Sequence, residues 1–248
     1  MAELEAEVGA LLQSSGQFAE AAIPILEAHV SQQVAARTYD FRVVKALAKL
    51  YQLYPLRCDP AVLALVVAKA MMARPATDAK VLASIVPEAL ATATSTLRRI
   101  AKCDALLEAS KYADFWECAR GATEPGDVPI VGLVPGFAEA IRNFLVDALA
   151  ATFQTVELDA CVDTLGLASR DDARAVLGED ARVAAILDDE GSSSSPVVRF
   201  APNRENVARQ KRLGETIRLE TLLSLYTDDD DVFKSPEGPA AVPVAPAS

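Results

Sequence analysis

The sequence predicts a mainly α protein: a stack of antiparallel helix pairs, then three helices and a β-hairpin in the order of a winged helix, then a disordered tail. Three observations predict it. Over the first two thirds, apolar residues recur with a 3.6-residue period between Asp, Thr or Ser start signals and Pro or Gly stops. From Gly121 to Gly136 the chain is rich in Gly, Pro and Asp, and the period disappears. Beyond that break, closely spaced helical segments lead into two β-prone runs on either side of a Gly/Ser stretch.

Ala2 to Gln13 is rich in Ala, Glu and Leu, all strong helix formers, and Ser14-Ser15-Gly16 interrupts it. Pro24 suits the first turn of a second helix running to about Val34. Asp40 is a good N-cap for Phe41 to Tyr54, in which Val43, Val44, Leu47, Leu50, Tyr51 and Tyr54 form one stripe, and Pro55 stops it. Asp59-Pro60 repeats the start signal. The segment to Ala73 is apolar on nearly every side, which predicts a position at the centre of the stack. Thr77 or Asp78 caps a shorter helix to Val86, ahead of a break at Pro87. Thr94 to Ser110 carries Leu97, Ile100, Cys103 and Leu107 on one face, with Arg98, Arg99 and Lys102 largely off it. Tyr112 to Ala119 carries Phe115 and Trp116, read as core. These are about seven helices joined by short turns, with no clean repeat at a fixed period.

After the break, Phe137 to Phe153 places Ile141, Phe144, Leu145, Ala148 and Leu149 on one face. A short helix from Glu157 to Leu165 follows Thr155 as its cap and ends at Gly166. Ser169 caps Arg170 to Leu177, and Asp171 and Asp172 then sit at the positive end of that helix dipole. Val183 to Leu187 and Val197 to Ala201 read as strands joined by a polar tip. Arg204 to Leu225 is polar at first and amphipathic later. From Asp228 to Ser248, four aspartates precede Pro/Ala-rich sequence that buries too little apolar surface to order itself. The predicted domains are therefore 1–120, a linker over 121–136, 137–226, and a tail over 227–248.

Composition narrows the function. The 248 residues include 24 Lys plus Arg against 35 Asp plus Glu, a net charge of −11 that argues against a general nucleic-acid coat. The single histidine, His29, removes multi-histidine metal sites and most histidine catalysis. Cys58, Cys103, Cys118 and Cys161 form no C-x-x-C pair, so neither a zinc knuckle nor a thioredoxin-type motif exists. No phosphate-cradling glycine loop is found, and no cysteine has a visible activating partner. Met1 to Val8 carries three glutamates and no basic residue, the wrong charge for a leader, and Ala61 to Ala73 is too short to span a membrane. The expectation is a soluble, reduced, cytoplasmic protein that is not an enzyme and takes no cofactor, metal or small-molecule substrate.

The one local reversal of acidity is the cluster Arg204, Arg209, Lys211, Arg212 and Arg218, which Glu205 and Glu215 dilute. It reads either as a solvated linker or helix face or as an RNA contact. Asp228 to Asp231 reads as solvated tail, since no calcium-loop scaffold surrounds it. As a nucleic-acid reader, Arg170 to Leu177 carries two acids where donors are needed.

Three blocks, in order along the chain, carry a family resemblance. Thr38-Tyr39-Asp40-Phe41 with Leu47-Ala48-Lys49-Leu50-Tyr51-Gln52-Leu53-Tyr54-Pro55 is similar to a Tyr-Asp-Leu start running into Leu-Lys-Leu-Tyr-Gln-x-x-Pro. Leu106-Leu107-Glu108 with Phe115-Trp116 resembles Leu-Leu-Glu…Phe-x-x-Phe-Trp. Gly136-Phe137 with Arg142 and Phe144 resembles Gly-Phe-x-x-x-x-Arg-x-Phe. Together they resemble the PCI-type family of the k subunit of eukaryotic translation initiation factor 3. Related PCI-type subunits build the proteasome lid and the signalosome, and these are the alternatives, together with a nucleic-acid-binding winged helix. The C-terminal third departs from the family pattern.

The resemblance implies a HEAT-like helical domain, then a winged helix, in a non-catalytic scaffold subunit. It implies the l and e subunits as neighbours and the small ribosomal subunit as a partner through the complex. It also implies association through sheet edges and a bundle of last helices. On that basis Val197, Val198 and Phe200 are expected as an exposed edge strand. Ile217, Leu219, Leu222 and Leu223 are expected as an apolar stripe that a partner covers. Arg204, Arg209, Lys211 and Arg212 are the candidate RNA contacts.

Overall fold

The caps foreseen in the sequence form. In the computed structural model, which describes residues 2–121, 128–187 and 196–207, the Asp40 carboxylate accepts from the Arg42 N–H at 2.8 Å. Asp59 accepts from Ala61 N–H at 2.8 Å, and Thr94 Oγ1 from Leu97 N–H at 3.2 Å. Each satisfies a backbone donor that the first turn of a helix leaves open. The helices up to Gly121 are α1 (Ala2–Gln13), α2 (Ala22–Ala35), α3 (Phe41–Leu53), α4 (Pro60–Met72), α5 (Asp78–Ile85), α6 (Glu88–Ala91), α7 (Ser95–Glu108) and α8 (Tyr112–Arg120). The short α6 was not expected. It is a four-residue turn starting directly after Pro87, inside what reads in sequence as a break.

Successive helices pack on each other: α2 against α3, α4 against α5 and α7, and α7 against α8. The stripe of α3 is buried as its period requires, with Val44, Leu47, Leu50 and Tyr51 fully enclosed. Tyr51 keeps its hydroxyl satisfied by donating to Glu27 at 2.6 Å. The all-round apolar α4 lies inside the stack, burying Leu63, Val66, Ala68, Ala70 and Met71. Truncating a leucine such as Leu63 to alanine in such a site costs about 2–5 kcal/mol. Arg99 departs from expectation. It lies off the apolar stripe yet is buried, its guanidinium reaching the carbonyl of Val128, while Arg98 and Lys102 stay exposed.

The expected linker also holds structure. Its described part contains a single helical turn, α9 (Ile130–Leu133), with Ile130 and Val134 buried. Next come α10 (Phe137–Thr152), β1 (Thr155–Glu157), α11 (Leu158–Leu165), α12 (Arg170–Gly178), β2 (Val183–Leu187) and β3 (Val197–Phe200). Thr155 was expected as a helix cap; it lies in strand β1, and α11 begins at Leu158. The strands form one antiparallel sheet in the order β1-β3-β2.

That order corrects a second expectation. Val197, Val198 and Phe200 form the middle strand rather than an edge. Val198 pairs with Val156 on one side and Ile186 on the other. Val198 and Phe200 are buried. Residues 2–207 belong to one compact unit, and a continuous apolar cluster runs from Val8 to Phe200. Among the described residues, no helix is long and apolar enough to cross a membrane.

Candidate functional site

The sheet edge is the first candidate surface. β3 is satisfied on both sides, and its ladder continues through Phe200 N–H to Gln154 O (2.9 Å) and Ala201 N–H to Arg182 O (2.8 Å). The outer edge of β2 has no strand against it among the described residues. A shift in register between Val183 and Ala185 bends it, and Leu187 is 42% exposed at its end. Arg182 anchors the start of β2. Its guanidinium engages Asp180, Asp147 and Asn143, the last at 2.7 Å. The same guanidinium holds the Asp180 carboxyl below its ordinary value. The segment after β3 is tied to the end of α10 as well. Asn203 and Asn206 both donate to the Ala150 carbonyl, at 2.7 and 3.0 Å, and close orphan acceptors of the last turn.

The second feature joins α8 and α10 to the end of α11. Two guanidiniums, Arg120 and Arg142, lie over the Trp116 ring of α8, each 5.2 Å from its centre. The Trp116 indole N–H donates to Thr164 O at 2.9 Å, Arg142 Nε to Leu165 O at 3.1 Å, and Arg120 to Gly166 O. Three successive carbonyls at the negative end of α11 thus receive three donors from α8 and α10. Gly166 holds a left-handed φ of 58° directly beneath the indole. Trp116 and Arg142 come from the second and third residue blocks that carried the family resemblance.

The third feature is a groove of about 790 Å³ between α1, the end of α2 and α3. Val8, Val43 and the His29–Gln33 pair form its floor; Gln33 Nε2 and His29 Nδ1 are 3.1 Å apart. Lys69 reaches the neighbouring Gln33 carbonyl from α4 at 3.0 Å. Phe18, 51% exposed, stands at the rim with Lys45 and Lys49.

Of the residues expected to meet partners, Arg204 is exposed just after β3. Ile217, Leu219, Leu222, Leu223, Arg209, Lys211 and Arg212 lie outside the described residues, as do the hairpin tip over 188–195 and the aspartate run. Sequence reasoning missed the β2 edge, the Arg182 anchor and the basic rim of α3. The spacing Arg42, Lys45, Lys49 was visible on the face opposite the apolar stripe. Among the described residues, no group of three or more His, Cys, Asp or Glu side chains could hold a metal ion.

A model of the CSN8/PSMD8/EIF3K family matches residues 58–180, from just before the cap of α4 to Asp180, ahead of β2. The chain is similar over most of its length to proteins named eukaryotic translation initiation factor 3 subunit K, which bears out the resemblance seen in the three blocks. The relative from Brugia malayi is 27% identical over 239 residues, covering 92% of this chain and 98% of the relative. That from Caenorhabditis elegans is 27% identical over 239 residues, covering 91% and 95%. One from Aspergillus terreus is 26% identical over 231 residues, covering 87% and 90%.

Proposed function

We propose that this chain is a non-catalytic scaffold subunit of eukaryotic translation initiation factor 3. The observation that carries the proposal is similarity to subunits of that name over more than nine tenths of both chains. On this reading the protein is cytoplasmic, the l and e subunits are its neighbours, and the small ribosomal subunit is met through the complex. Residues 1–120 act as a HEAT-like stack, 121–136 as a linker and 137–226 as a winged helix, ahead of the tail over 227–248. The order β1, α11, α12, β2, β3 behind α10 supports the winged-helix part.

The surface assigned to a neighbouring subunit is the β2 edge, which can add a strand by backbone hydrogen bonding. Val197, Val198 and Phe200 contribute by holding β2 in place. Ile217, Leu219, Leu222 and Leu223 are assigned to a helical bundle shared with other subunits. A protein partner is favoured over nucleic acid by α12, which exposes Asp171 and Asp172, with Glu179 exposed just past its end, and so repels phosphate.

The test is to tag the chain in its own cells and identify co-purifying proteins by mass spectrometry. The proposal expects subunits of translation initiation factor 3, with recovery reduced by Leu187→Lys, a charge of the kind that blunts edge strands. Recovery of proteasome-lid or signalosome subunits instead would replace it.

A further inference from the structure

We infer that the groove between α1 and α3 is a docking site for an amphipathic helix whose carboxylates face α3. The inference does not depend on the subunit assignment. Its first support is the arrangement of charge. Arg42, Lys45 and Lys49 project from the exposed side of α3, but Arg42 is already paired with Asp40 at 2.8 Å. Lys45 and Lys49 make no ion pair among the described residues. They are four residues apart, about 6 Å along the helix axis. Carboxylates one turn apart on a neighbouring helix repeat at the same interval, so two pairs can form at once.

The opposite wall carries the opposite sign. Glu5 on α1 lines the same groove. An incoming helix with acids on both flanks meets repulsion there, so the site selects both for an acidic edge and for its orientation. The apolar part of the groove fits the third side of such a helix. Val8, Leu12, Val43 and Ala46 give a shallow floor and walls, and Phe18 stands half-exposed at the end. A half-exposed aromatic beside a concave apolar surface is the composition of an interface anchor.

RNA fits less well. Glu5 and Asp40 offset two of the three cations in the lining, leaving a net of about one positive charge.

The test uses the full chain and a fluorescent synthetic peptide of about 14 residues, or ~20 Å of helix. It carries a leucine stripe with glutamates one turn apart along one flank. A second peptide has lysines in place of the glutamates. The acidic peptide is expected to bind saturably, and Lys45→Glu with Lys49→Glu to weaken it about 10-fold while strengthening the lysine peptide by a similar factor. Phe18→Ser is expected to weaken both. Unchanged emission from Trp116, far from these substitutions in the chain, confirms folding of each variant. No saturation of the acidic peptide up to about 1 mM, or affinity indifferent to the lysine reversal, would overturn the inference. So would single-stranded RNA binding that the reversal abolishes while neither peptide binds.

Discussion

Gly166→Ala should damage the junction of α8, α10 and α11 more than any other single added methyl among the described glycines. The native φ is 58°, in the left-handed region, where a Cβ costs about 1–2 kcal/mol. The new Cβ would also fall closer than 3.0 Å to three atoms of the Trp116 ring. The indole cannot simply withdraw: it is 2% exposed, hydrogen-bonded to Thr164 O, and has the Arg120 and Arg142 guanidiniums each 5.2 Å from its ring. Forcing it aside adds about 1–3 kcal/mol, giving roughly 2–5 kcal/mol in all. For a chain this long that is a fall of roughly 5–15 °C in Tm. Trp116 is the only tryptophan, so its fluorescence reads the junction directly during urea unfolding. The native emission should shift to the red and the urea midpoint should fall. Gly178→Ala, whose Cβ meets nothing within 4 Å, should leave both near the parent. A Gly166→Ala protein within about 0.5 kcal/mol of the parent, with unshifted emission, would refute the reasoning.

Three further outcomes are expected. Arg74 is enclosed between Asp104 and Glu108 and lies 5.8 Å from the Phe144 ring. Arg74→Met should cost roughly 2–4 kcal/mol by urea unfolding, and adding Asp104→Asn should recover part of it, since Asp104 is left without its partner whereas Glu108 keeps Lys80 at 2.6 Å. Lys69 is 4% exposed with its ammonium on one carbonyl, and burial lowers its pKa. Lys69→Met should therefore be neutral or stabilising at pH 7; a loss above about 2 kcal/mol would contradict this. Asp180 is held below the ordinary carboxylate range by its hydrogen bonds to Arg182. A carboxyl with a lowered folded-state value contributes stability above its unfolded value, about 3.9, and loses it as the pH falls through the folded one. Asp180→Asn should thus be less stable at pH 7 and show a shallower fall in Tm below about pH 4; an unchanged slope would count against the assignment.

What was legible in the sequence follows from how local each signal is. α3 and α4 were readable because cap, stripe and proline stop all lie within one segment, and each acts on its own helix. β1 was not. Thr155, Val156 and Glu157 are too few to show a period, and they form a strand only by pairing with Val197, Val198 and Arg199. The same missing strand made β3 look like an edge, because β-branched residues announce a strand without saying how many neighbours it has. Helical periodicity placed Arg99 off the apolar stripe but could not foresee that the Val128 carbonyl arrives to cover it. The Trp116 clamp was half legible. Phe115-Trp116 and Arg142 stood out as motif residues, but their meeting over the end of α11 is tertiary. The two charged walls of the groove come from different helices, so only the α3 half was written in one stretch of sequence.

The central claim concerns membership of a complex, and the reciprocal purification tests it most directly. Translation initiation factor 3 would be isolated from the same cells through a different tagged subunit, and this chain counted by quantitative mass spectrometry. The account predicts about one copy per complex, co-sedimenting with the small ribosomal subunit, and a reduced copy number for Leu187→Lys. A factor that is complete in its other subunits and lacks this chain would contradict it.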